Sequence, residues 1–197
     1  MEKLFVATSN AHKLEEIREI LKLYGIEREL VCPASFDDHD EPIEDGKSFK
    51  DNALIKARYW FNKYHLPTIA DDSGLTIHFF NEFPGIYSAR FMQNYSYFEK
   101  NSWILKGMKN ESDREAKFHC VIAYINENTE ECFEGILQGE IADSIKGEHG
   151  FGYDPIFVPD GYEHSVSTLS DEEKNSISHR HNAAIKVIEF LKQISLI

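Results

Sequence analysis

Near its start the chain has a short run, Lys3 to Ala7, apolar after its charged first residue, that the pattern predicts as a buried strand. Thr8, Ser9 and Asn10 follow. Apolar positions then recur every three or four residues at Leu14, Ile17, Leu21 and Tyr24, with Ile20 beside them. Glu15, Glu16, Arg18, Glu19 and Lys22 fill the other face, so the spacing predicts an amphipathic helix. Asn10 or Ser9 is its natural N-cap, and Gly25 its C-terminal stop. Leu30 to Cys32 reads as a second strand, and residues 33 to 47 as an acidic loop. A second helix is expected from about Phe49 to Tyr64, with Ser48 and Asp51 at capping-box spacing.

Thr68 to Ala70 predicts a short strand that runs into a polar turn, Asp71-Asp72-Ser73-Gly74, with another strand over Leu75 to Phe80. Pro84-Gly85 marks a turn, and residues 94 to 109 read as helix. Lys117 to Ile125 and Cys132 to Ile141 are β-rich, and Asn126-Glu127-Asn128 between them predicts a long β-hairpin. Gly147 to Pro155 is a glycine-rich loop with a strand behind it at Ile156 to Val158. An amphipathic helix ends the chain, from Ser178 to about Ile194. This order argues for an α/β fold with a central mixed β-sheet flanked by helices. No repeat and no linker-like stretch divides the chain, so residues 1–197 are expected to form a single domain.

Composition narrows the function. With 21 basic and 34 acidic residues the net charge is −13, which argues against nucleic acid as a partner. No window approaches 18 uninterrupted apolar residues, so no membrane partner is expected. The apolar run at the start is too short for a signal peptide. Cys32, Cys120 and Cys132 are odd in number and widely spaced, which suits reduced thiols and a cytoplasmic location. An acidic chain that binds a phosphorylated molecule needs a local cluster of donors and a divalent cation.

Several segments carry candidate chemistry. Thr8-Ser9-Asn10-Ala11-His12-Lys13 sits where a strand meets a helix N-terminus, a place that favours an anion; the plain alternative is a capped helix with an exposed lysine. Adjacent carboxylates at Asp71 and Asp72 after an apolar strand are costly unless paired or bound to a cation; the alternative is a polar turn. The acidic segment from Asp37 to Gly46 could add a metal carboxylate or be a solvated loop, and spacing does not choose among its residues. Gly150-Phe151-Gly152-Tyr153-Asp154-Pro155 could wall a planar ring, or tuck its aromatics into the core. Lys174 and Ser178-His179-Arg180 offer donors at a helix start. His179 and His181 are two apart on a helix and make a poor zinc pair. Walker, GxGxxG, HExxH and GxSxG motifs are all missing.

Taken together, seven collinear segments resemble the inosine/xanthosine triphosphate pyrophosphatase family: ATSNAHK, EDGKSFKDNALIKA, IADDSGL, PGIYSARF, FHCVIAY, GFGYDPIF and LSDEEKNSISHR. They span residue 4 to about 182. The resemblance implies an elongated α/β fold of two lobes with a deep cleft, a homodimer, and hydrolysis of deaminated purine nucleoside triphosphates to the monophosphate and pyrophosphate. It implies that Thr8, Ser9, Asn10, Ala11, His12 and Lys13 hold the triphosphate. Asp72 would be general base and metal ligand, with Ser73 touching substrate. Glu44, with Glu41 as its rival, would be the second carboxylate on Mg2+. Phe151, Gly152, Tyr153, Asp154, Lys174, His179 and Arg180 would contact the nucleotide. Ser9 stands where the family often has Gly, and Phe91-Met92-Gln93-Asn94 replaces a usual Tyr-Ala-Gly stretch. A pyrophosphatase for pyrimidine or modified nucleotides, or a non-catalytic nucleotide sensor, is the competing expectation.

Overall fold

A computed structural model describes residues 2–147 and 150–194, with His12 through its backbone alone. The elements in order are β1 (Lys3–Val6), α1 (Ala11–Leu23), β2 (Glu29–Val31), α2 (Phe49–Tyr64), β3 (Thr68–Ile77), β4 (Phe83–Pro84), α3 (Tyr97–Gly107), β5 (Glu115–Ile125), β6 (Glu130–Ile141), β7 (Phe157–Pro159), α4 (Asp171–Ile177) and α5 (His179–Ile194). The strands run in the order β2-β1-β3-β5-β6-β7, with β4 on β3. β1 is parallel to both β2 and β3, while β4 on β3 and β7 on β6 are antiparallel, so the sheet is mixed as expected.

The chain packs as two compact units. The first holds Met1–Asp72, Cys120–Gly135 and Arg180–Ile197; the second holds Ser73–His119 and Ile136–His179. In the first unit the two-residue period of the strands splits the core into two layers. Leu4 and Val6 of β1, with Cys120, Ile122 and Tyr124 of β5, pack with Ile17 and Leu21 of α1 and Ile188 and Leu191 of α5. Phe5 and Ala7, with Val121, Ala123 and Ile125, pack with Ala53, Ala57 and Trp60 of α2. Helices thus cover both sheet faces, which is why Leu4, Phe5 and Val6 are all buried. In the second unit, Leu75 and Ile77 of β3, Ile104 of α3, Met108, Phe118 and Phe157 build one core.

α2 starts where its cap predicts, whereas α3, expected over 94 to 109, runs from Tyr97 to Gly107 behind a Ser96 cap. Ser48 accepts the Asp51 amide at the head of α2, while the Asp51 carboxylate accepts the Lys47 amide. Three expectations need correction. Residues 68–77 form one ten-residue strand, with no turn at Asp71–Gly74, because partners satisfy both carboxylates within the sheet. The strand expected to reach Phe80 stops at Ile77, and His78–Phe80 turn as 3-10 helix. A short helix absent from the sequence reading, α4, is capped by Ser170, which accepts the Glu173 amide, and α5 follows it after Ser178.

Two tests address this packing. A β-carbon at Gly139 of β6 would lie 2.2 Å from the Val158 carbonyl oxygen, a backbone atom that cannot step aside. Gly139→Ala is expected to destabilise by about 1–3 kcal/mol, read from chemical denaturation. On the surface, the His78 Nδ1 and an Asp113 carboxylate oxygen lie 2.5 Å apart. That hydrogen bond and the Asp113 charge raise the imidazole pKa and lower the carboxyl's. The stabilisation is full below the ordinary histidine pKa and fades as pH rises through the raised one, while Asp113 stays ionised in mild acid. His78→Gln is expected to lower Tm more at pH 5.5 than at pH 8.5.

Candidate active site

β3 carries two consecutive carboxylates, whose side chains leave opposite faces of the strand. Asp71 is buried and accepts a hydrogen bond from Lys13 Nζ at 2.7 Å. Arg180 Nε of α5 lies 4.0 Å from the same oxygen, and its Nη1 donates to Glu16 at 2.7 Å. Burial would raise the Asp71 pKa, but Lys13, Arg180 and Lys56 outweigh it and hold the carboxyl well below its usual range. Lys13 lies in the first turn of α1, a poor place for a cation by the helix dipole alone. The anion it faces here is Asp71.

Asp72 is held from α2. Asn52 Nδ2 donates to its Oδ2 at 3.1 Å, and Lys56 Nζ lies 3.5 Å from Oδ1 and 2.9 Å from Glu44 Oε1. Asn52 is fully buried, and its Oδ1 accepts the Gly46 amide at 2.9 Å. A β-carbon at Gly46 would sit 2.6 Å from that oxygen, so the loop carrying Glu44 needs glycine there. Asn52 and Lys56 are four apart and share one face of the helix. Burial raises the Asp72 pKa; Lys56 and Asn52 oppose the rise, whereas Glu44 and Asp71 add to it. Burial works against the Lys56 charge, yet Asp71, Asp72 and Glu44 together raise its pKa.

Around the α1 start, Thr8 Oγ1 accepts the Asn10 amide at 3.1 Å and Asn10 Oδ1 accepts the Lys13 amide at 3.3 Å. Asn10 is therefore the cap. Ser9, Asn10 and Ala11 are exposed. The side chain of His12 lies outside the described residues.

The second unit carries the glycine loop. Asp154 is buried and accepts from Lys174 Nζ at 2.7 Å and from the Phe151 amide at 2.9 Å. Gly150 has φ +82°, and a β-carbon there would lie 2.4 Å from Asp154 Oδ2, so glycine is required twice over. The two aromatics of the loop part company. Phe151 is 49% exposed, with Lys174 Nζ 4.6 Å from its ring centre. Tyr153 is buried; its hydroxyl donates to the Ser88 carbonyl at 2.7 Å and its ring meets Tyr97 edge-on. Asn101 of α3 donates to the Gly152 carbonyl at 3.1 Å. His179 stacks on Phe118 at 4.9 Å and 13°. Ser73 is half-buried in β3.

The structure therefore brings Glu44 and Asp72 to one ammonium, whereas Glu41 is exposed. It joins Lys13, Asp71 and Arg180 in one charged group, and Phe151, Asp154 and Lys174 in another. Sequence reasoning missed Lys56, Asn52 and Glu16. A signal existed for the first two: polar residues at helical spacing beside the small pair Ala53 and Ala57, on a face that must pack. Among the described residues no group of three or more His, Cys, Asp or Glu gathers to hold a metal unaided. Two carboxylates already shared by an ammonium do fit a hard cation that takes its other ligands from water and substrate oxygens.

A mixed, helix-covered sheet with lysine-braced carboxylates inside a central strand places the chain in the α/β class. The chain matches the Ham1 family over residues 4–190 and belongs to that family. It is 40% identical to a dITP/XTP pyrophosphatase of Aquifex aeolicus over 200 residues, covering 96% of each chain. A dITP/XTP pyrophosphatase of Thermoanaerobacter pseudethanolicus is 41% identical over 193 residues, again covering 96% of each. Among solved structures, a HAM1 protein from Coxiella burnetii superposes with a TM-score of 0.91 at 38% identity, over 98% of this chain and 100% of that one.

The charged group around Asp71 gives a stability test. Arg180→Met removes a buried cation and leaves Glu16 and Asp71 facing each other's surroundings with less compensation. A loss of roughly 3–5 kcal/mol is expected in urea denaturation.

Proposed function

We propose that the protein hydrolyses deaminated purine nucleoside triphosphates (ITP, dITP and XTP) to the nucleoside monophosphate and pyrophosphate. The observation that supports this reading is the Glu44–Lys56–Asp72–Asn52 group, in which two carboxylates share one ammonium and burial raises the pKa of one of them, Asp72. The names of the relatives supply the substrate class. Glu44 and Asp72 would hold Mg2+, which when bound screens the triphosphate and favours attack at phosphorus. Asp72 orients the attacking water and takes its proton. Thr8, Ser9, Asn10, Ala11 and His12 receive phosphate oxygens at the α1 start, and Lys13 and Lys56 stabilise their charge. Ser73 adds a hydroxyl contact beside Asp72.

Selection of the base follows from hydrogen-bond polarity. Hypoxanthine and xanthine present an N–H at position 1 and a carbonyl at position 6; adenine presents an acceptor and a donor instead. Phe151 offers its exposed face for stacking. Asp154, held by Lys174 and the loop amide, accepts the N–H of a deaminated base. Lys174 and His179 donate toward position 6, with the Gly152 and Tyr153 backbone shaping the loop. Adenine would leave those groups facing like partners, at about 1–3 kcal/mol for each. The enzyme works as one domain and as a cytoplasmic homodimer on free nucleotides.

Pyrophosphate release from ITP, dITP, XTP, ATP, dUTP and UTP, with and without Mg2+, tests the reading. Fast Mg2+-dependent release from the first three is expected. Asp72→Asn should lower kcat by about 10²–10⁴ while leaving the circular dichroism unchanged. Preference for dUTP or UTP would replace this reading by a pyrimidine one, and tight ITP binding without turnover by a sensor.

A further inference from the structure

Lys56 reaches the carboxylates from α2 with most of its side chain buried, 14% exposed, and its ammonium contacts both Glu44 and Asp72. We propose that Lys56 is a resident counter-ion: without nucleotide it holds the Glu44–Asp72 pair and keeps the affinity for divalent cations low, and a triphosphate draws the ammonium to itself and so opens the pair to metal. The inference rests on the reading of Glu44 and Asp72 as metal carboxylates given above.

The charges decide the effect. With the ammonium in place the pair carries a net −1, and without it −2. An incoming divalent cation must also face or displace a like charge at contact range, where interaction is strong in a part-buried setting. The arrangement can also change. A lysine ends in a compact charge on a flexible four-carbon stem, so its head can move between acceptors while the helix stays still. Asp72 would not move with it, because Asn52 holds the other carboxylate oxygen. Glu44 likewise keeps its loop, because Gly46 is tied to Asn52. The carboxylates are therefore pre-positioned by an amide, and their charge is masked by an amine. A triphosphate, with several oxygens of its own, competes for that amine and brings metal with it. Metal loading and substrate binding become linked, although the free protein has both carboxylates ready.

Titration of the full-length protein with MgCl2 alone by calorimetry, and with Mn2+ alone by electron paramagnetic resonance, tests this directly. The wild type is expected to bind weakly, and Lys56→Met at least about tenfold more tightly, even as its turnover of ITP falls. Lys56→Arg keeps the charge and should stay near the wild type in metal affinity, which a merely structural role for Lys56 would not require. Lys56→Gln serves if the methionine variant fails to fold. Unchanged or weaker metal binding in a folded, charge-removed variant overturns the proposal. The double variant Lys56→Met/Asp72→Asn separates the two levels. Loss of the gained affinity places the gained ion on Asp72; retention of it refutes Asp72 as a metal carboxylate and the masked pair with it, whereas an unchanged affinity in Lys56→Met overturns the masking alone.

Discussion

Two carboxylates in the middle of a buried strand are the constraint around which the first unit is built. Asp71 and Asp72 leave water together, and each ionised group needs opposite charge or hydrogen-bond donors close by. Their alternation on β3 sends the need to opposite sides. One side is met by Lys13 of α1 and Arg180 of α5, the other by Asn52 and Lys56 of α2. Three helices that are far apart in sequence are thereby tied to one dipeptide.

The second unit uses a different device. Its glycine loop is fixed from outside by small polar contacts: Asn101 to the Gly152 carbonyl, Tyr153 to the Ser88 carbonyl, and Lys174 to Asp154. Glycine at position 150 lets the backbone pass close to the Asp154 carboxylate. The result is a rigid acceptor beside an exposed aromatic face.

Much of this was legible from residues alone. The helix over Phe49–Tyr64 and the hairpin turn at Asn126–Asn128 follow from local signals, namely a cap and a change from apolar alternation to turn residues. The α1 cap was legible as Asn10 or Ser9 for the same reason, and the structure puts it at Asn10. β3 was misread because Asp, Ser and Gly are turn formers by propensity, and only the cations supplied by α1, α2 and α5 let them lie in a sheet. Tyr153 and Phe151 looked equivalent, yet one packs inside the core and the other faces solvent. Their difference depends on Ser88 and Tyr97, more than fifty positions away.

The amino-acid order by itself determined the mixed α/β character, the acidic charge and the candidate segments, because periodicity, caps and glycines act over a few neighbouring residues. Only the tertiary structure decided which charges meet. Whether Lys13 serves Asp71, and whether Glu44 or Glu41 joins Asp72 on Lys56, depend on separations of a few ångströms between residues from different elements. Electrostatic energy falls with distance in space, and spacing along the chain carries no record of it.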